Sequence, residues 1–171
     1  MNRKNLTSAA PVLGVDIGRV IIEGDGPDTN FVGGSEADAM RAPAVPGAIE
    51  ALTRLCRRFE GRVWLVSKCG SKVQQRTRQW LDRTRFFQTT GIPYGHVRFC
   101  RDRKDKAPIC AELGIGLFVD DRLDVLQAMS GVVPHRFQFL ASEAPEGIVP
   151  VRSWVEAEAA ILEDALLAIA G

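Results

Sequence analysis

Long apolar runs are missing from this sequence. No stretch approaches the ~18 consecutive apolar residues of a membrane span, and the opening MNRKNLTSAA has no apolar segment of the secretory kind. A cytoplasmic location with no membrane partner is therefore expected. Cysteine and histidine are scarce too. Cys56, Cys69, Cys100 and Cys110 show no CxxC spacing and have only His96 and His135 to help them bind zinc, so reduced thiols are expected. Neither GxxxxGK[ST] nor GxGxxG occurs, which removes the phosphate-loop and dinucleotide readings. VSKCGS lacks the GxSxG elbow, and neither histidine is placed to serve Ser67 or Cys69. Cys69 reads as packing.

What the chain does have is enough apolar content for a core. Its 171 residues are 46% hydrophobic and 25% charged, the size of one globular domain. The net charge is only +1, but it is unevenly spread: residues 54–106 hold fifteen Lys/Arg against four Asp/Glu, and residues 107–171 hold three against ten. The basic stretch reads in two ways. Its arginines lie on solvated helix faces, some paired with the acidic final third, or they form a rim for a polyanionic substrate.

Short apolar runs alternate with amphipathic stretches. VLGVDI is a strand buried on both faces, as in a parallel sheet. Residues 23–46 carry seven glycines and prolines, too many for a compact inserted domain, and read as a flap. Pro46 opens a helix that Gly61 stops, RVWLVS is a second strand, and Ser71 caps the next helix. HVRFC, a helix over 107–113, GLFVDD, a helix over 122–129, HRFQFL and a closing helix from Trp154 follow. This is βαβ repetition, which predicts an α/β fold: a doubly wound, Rossmann-like parallel sheet in three layers. The expected organisation is a flexible tail over 1–10 and one domain over 11–171.

Parallel strands place their carboxyl ends on one edge, where such sheets bind ligands. Asp16, Ser67, Asp120 and Asp121 end apolar runs, and Lys106 precedes a helix start. A nucleophilic carboxylate, a hydroxyl, an ammonium and further carboxylates can thus converge. Carboxylates repel unless a cation joins them, and Mg²⁺ suits oxygen ligands completed by phosphate. Ser67 and Lys106, with Lys68 beside Ser67, would then hold phosphate oxygens. Lys104 takes the role of Lys106 if the register slips.

In this order, VDIGRV, LVSK, DKAPICAELG and FVDDRLD resemble the four motifs of the haloacid dehalogenase-like hydrolase superfamily, spread over residues 12 to about 130. The resemblance implies that Asp16 is a nucleophile forming an aspartyl-phosphate, and that Ser67 and Lys106 bind the phosphoryl group. It also implies Mg²⁺ held by Asp16, the Gly18 carbonyl and Asp120. Asp121 shares or takes over that role, and Asp124 sits near the family's later carboxylate. Neither usual insertion point holds a large cap. One departure stands out: Gly18 occupies the place of the usual second aspartate, the general acid and base, so protonation falls to water, the substrate, Glu23 or Asp121.

The expected activity is that of a Mg²⁺-dependent phosphomonoester hydrolase. The alternative is a degenerate domain that binds phosphate or a protein partner without turnover. An open site suits a phosphorylated small molecule, a nucleotide or a phosphorylated macromolecule. It also suits a homodimer whose second subunit serves as lid, and nucleic acid on the basic stretch is the less favoured partner. GVDIG resembles as well the first phosphate loop of actin-like sugar kinases, a fold that needs two such domains and roughly twice this length.

Overall fold

The computed structural model of the chain describes residues 10–24 and 35–170. Residues 1–9 of the expected tail and 25–34 of the expected flap lie outside the described residues. Six parallel strands form one sheet in the order β3-β2-β1-β4-β5-β6. They are β1 Val12–Val15, β2 Val63–Lys68, β3 Val97–Cys100, β4 Ile115–Asp120, β5 His135–Phe139 and β6 Ile148–Val151. The helices are α1 Glu36–Arg41, α2 Ala48–Arg58, α3 Ser71–Arg83, α4 Phe86–Thr90, α5 Lys106–Leu113, α6 Leu123–Ala128 and α7 Trp154–Ala170.

Parallel pairing requires crossovers, and these cover both faces, giving the three-layer, doubly wound fold that the apolar runs imply. One cluster joins Leu13, Val15, Leu117 and Val119 to Leu52 and Leu55 of α2, Phe86 of α4 and Ile161 of α7. The alternate residues of the strands, Val66 and Phe118, pack instead against Cys110 of α5 and Val125 and Leu126 of α6. Gly14 is register partner to Phe118. A Cβ there would lie 2.4 Å from the buried Phe118 ring, so β1 sits against β4 only because this residue has no side chain.

Four local features differ from expectation. The expected flap contains α1, started by a capping box: Ser35 Oγ accepts from the Asp38 amide at 3.1 Å while the Asp38 carboxylate accepts from the Ser35 amide at 3.0 Å. Gly70, not Ser71, is the N-cap of α3, and no side chain caps it. The five-residue α4 is too short to show a helical period. β6 contains Pro150, which reads against a strand but is tolerated at the sheet edge, where no neighbour needs its N–H.

The strand order places the site. From β1 the chain winds outward through β2 and β3, then crosses back to β4 on the other side of β1. The crevice above the carboxyl ends of β1 and β4 is therefore the switch point at which open α/β sheets bind ligands.

Candidate active site

Asp16 is the first residue past β1, held by its own amide, which donates to the Val119 carbonyl at 2.9 Å. Asp120 is the last residue of the neighbouring β4, and Lys106 is the first of α5. The Lys106 ammonium donates to Asp16 Oδ1 at 2.9 Å and to Asp120 Oδ2 at 2.7 Å. Asp120 is 0% and Lys106 3% exposed. Asp120 Oδ1 accepts from the Arg122 amide at 3.0 Å, so both its oxygens are engaged. One carboxylate oxygen each of Asp16, Asp120 and Asp121 lies within 4.8 Å of the others.

The chain beyond Asp16 folds back on itself. The Ile21 and Ile22 amides both donate to the Ile17 carbonyl, and the Arg19 amide donates to the Ile22 carbonyl at 2.8 Å. Val20, Ile21 and Ile22 are thereby buried, and the Trp154 indole N–H of α7 ties the turn down by donating to the Val20 carbonyl at 2.7 Å. Arg19 takes a left-handed conformation, φ 62°, which an arginine adopts only when its surroundings impose it. Its guanidinium reaches back across the site to Asp121 Oδ2 at 3.1 Å.

Carboxylates crowd together at the base of this crevice. Lys106 and Arg19 face three carboxylates. Burial pushes the Asp120 carboxyl up to about 7, against the pull of Lys106 and with the repulsion of Asp16 added. Asp121 is raised by burial and by Asp16, against Arg19. Burial works to lower Lys106, but the Asp120 and Asp16 carboxylates outweigh it and hold the ammonium firmly protonated. Three clustered carboxylate oxygens, with Asp120 and Asp121 both raised, fit a hard divalent cation.

The cleft above this cluster is lined by Asp16, Gly18, Ser67, Lys68, Lys106 and Asp121 of the expected set. Arg19, Arg103, Arg122 and Val125 complete it, and sequence reasoning did not single these out. Two carried a signal, since Arg19 follows Gly18 directly and Arg103 lies three residues before Lys106. Lys104 is exposed on the turn before α5, so Lys106 is the lysine that enters the site. Asp124 stays outside the carboxylate cluster. It is exposed and ion-paired with Arg122 at 3.0 Å; burial works to raise its pKa, but the hydrogen bond and charge of Arg122, with the charge of Arg103, together lower it.

The remaining candidates have structural partners. His96 stacks on Trp64 at 3.9 Å, with Nδ1 3.0 Å from the Val63 carbonyl, and His135 lies 3.0 Å from Asp164. All four cysteines are free and buried. Burial raises the Cys69 thiol to about 11 and Cys110 to about 12, which makes both poor nucleophiles. Both readings of the basic stretch have content: Arg54 pairs with Glu158 and Arg98 with Glu112, while Lys68, Arg103 and Lys106 line the cleft. No helix of the described residues is long and apolar enough to cross a membrane.

No family model and no curated protein matches the sequence. Solved structures do match the fold. A haloacid dehalogenase-like family hydrolase from Xanthomonas campestris aligns with a TM-score of 0.64 at 9% identity, over 94% of this chain and 98% of that one. A protein described as a haloacid dehalogenase-like hydrolase, from Burkholderia xenovorans, aligns with a TM-score of 0.61 at 14% identity, over 91% of this chain and 97% of that one.

Proposed function

We propose that this chain, which has the haloacid dehalogenase-like fold, is a Mg²⁺-dependent phosphomonoester hydrolase working through Asp16. One observation carries the reading: Lys106 bridges Asp16 and Asp120 inside a trio of carboxylates at the β1/β4 switch point. Asp16, Asp120 and Asp121, with the Gly18 carbonyl, would hold Mg²⁺, which when bound supplies charge neutralisation between carboxylates and phosphate oxygens.

An Asp16 carboxylate oxygen forms the bond to phosphorus as the bond to the leaving oxygen breaks. That oxygen takes up a proton and departs as the alcohol. Lys106 keeps the Asp16 carboxylate oriented through Oδ1 and, with Ser67 and Lys68, offers donors to the phosphoryl oxygens. Water then attacks phosphorus, releasing phosphate and restoring Asp16. The cationic lining suits an anionic substrate, and an open cleft admits a phosphorylated small molecule, a nucleotide or a phosphorylated macromolecule in the cytoplasm.

Gly18 favours a second reading, since it puts no carboxylate beside Asp16: the same cleft holds phosphate or a protein partner without turnover. Phosphate release from p-nitrophenyl phosphate with Mg²⁺ separates the two. Release that disappears in Asp16→Asn, with the fold intact by circular dichroism, supports the hydrolase. No release from a broad panel of phosphoesters supports the binder.

A further inference from the structure

Beside the phosphate cleft opens a second hollow of about 340 Å³, walled by Val45, Pro46 and Leu140 and edged by Arg19, Glu23 and Gly24. Arg19 lines both spaces, so the same side chain borders the cleft and the hollow. The wall belongs to the same scaffold as the reacting carboxylate, because the Val45 amide donates to the Ile21 carbonyl at 2.8 Å within the turn that follows Asp16.

Leu140 is the unusual member. It follows β5 with φ 59° and is 51% exposed. Asn or Gly would suit a left-handed backbone far better, and a leucine there offers nothing except apolar surface held toward the hollow. Its position is imposed by its neighbours: Phe139 packs on Trp154 with ring centroids 5.6 Å apart, and the Ala141 amide donates to the Val151 carbonyl. Strain kept at the mouth of a site points to a contact with a ligand.

We propose that this hollow receives the leaving group, and that the substrate is the phosphomonoester of an alcohol with an uncharged, apolar body such as an aryl or branched alkyl group. The inference rests on the phosphatase reading. Val45, Pro46 and Leu140 bury that body, Arg19 sits where the ester oxygen passes from cleft to hollow, and Glu23 at the edge repels a second anionic group. The groove on the other side of Arg19 is lined by Asp121, Arg122, Asp124 and Gln127 as well as Leu123, and offers an apolar body far less.

Phosphonates test this without turnover. Calorimetry with Mg²⁺ compares benzylphosphonate, which reaches the hollow, with methylphosphonate, which does not. The wild type should prefer the benzyl compound by about tenfold or more, the effect of filling a small apolar pocket. Leu140→Asn should reduce the ratio to about one or two while its Tm holds or rises, because asparagine relieves the backbone; a merely structural leucine would lower Tm and leave the ratio unchanged. Methylphosphonate binding with no benzyl preference, or a ratio retained in Leu140→Asn, overturns the hollow's role and leaves the phosphate cleft standing. Failure of both compounds to bind overturns the phosphate cleft and the leaving-group site with it.

Discussion

Gly18 bears directly on the proposed hydrolysis, because it puts no carboxylate two residues beyond Asp16. If Asp16 is the nucleophile proposed above, a carboxylate two residues beyond it would reach the leaving oxygen, and general acid catalysis of that kind contributes about 10²- to 10⁴-fold. Gly18 is buried and is not among the glycines with positive φ, so no left-handed backbone bars another residue there. Gly18→Asp should raise turnover of alkyl phosphomonoesters at least about tenfold and that of p-nitrophenyl phosphate much less, because a good leaving group hardly needs a proton. Steady-state kcat on both ester types checks this. Equal or lower turnover on both, in a folded protein that binds Mg²⁺, would mean that the proton comes from elsewhere.

At the scale of elements, the turn that follows Asp16 is held from a distance. Its anchor is Trp154, the first residue of α7, 134 positions away in sequence, through the indole bond to the Val20 carbonyl. Trp154→Phe keeps a ring against Phe139 but leaves that buried carbonyl without its donor, a loss of about 1–3 kcal/mol. For a chain of this size the Tm should fall by roughly 2–10 °C. Since the same turn aims Arg19 and borders Asp16, kcat should fall as well at temperatures where the variant is folded. A thermal melt and a rate measurement at 20 °C check the pair, and unchanged activity in a destabilised variant would separate the anchor from the site.

For the molecule as a whole, the carboxylate cluster sets how stability responds to pH. Asp120 is pushed up to about 7 and Asp121 is raised too, from an ordinary value of 3.8. Between these values the native state holds more protons than the unfolded chain, so stability falls as pH rises. The lowered groups Asp38, Asp124 and Glu156 carry the opposite sign, but their contribution is lost only below about pH 4.5, the ordinary glutamate value. In chelator the Tm should therefore decline from pH 5 to pH 7.5, and Asp120→Asn should flatten that slope. If Mg²⁺ occupies the proposed site, it binds the deprotonated carboxylates and should raise Tm more at pH 7.5 than at pH 5. Scanning calorimetry at the two pH values decides it, and an identical slope in Asp120→Asn would remove Asp120 as the cause.

The sequence by itself determined the parallel α/β architecture and the edge on which the charged and polar groups collect. Apolar runs such as VLGVDI and GLFVDD record burial on both faces, and parallel strands put their carboxyl ends side by side, so Asp16, Ser67, Lys106 and Asp120 were legible as a set. Features without a local period were not: β6 with its proline, the five-residue α4, and α1 behind its capping box. Tertiary structure alone decided which charged groups meet. Asp121 turns toward Asp16 and Asp120 while Asp124, three residues on, pairs with Arg122. Arg19 is twisted into the cleft by a turn that Trp154 holds, and Leu140 is strained at its rim. Burial is written into the chain residue by residue, because each apolar side chain carries its own transfer free energy. The choice of partner depends on distances between segments far apart in sequence, which exist only once the sheet has formed.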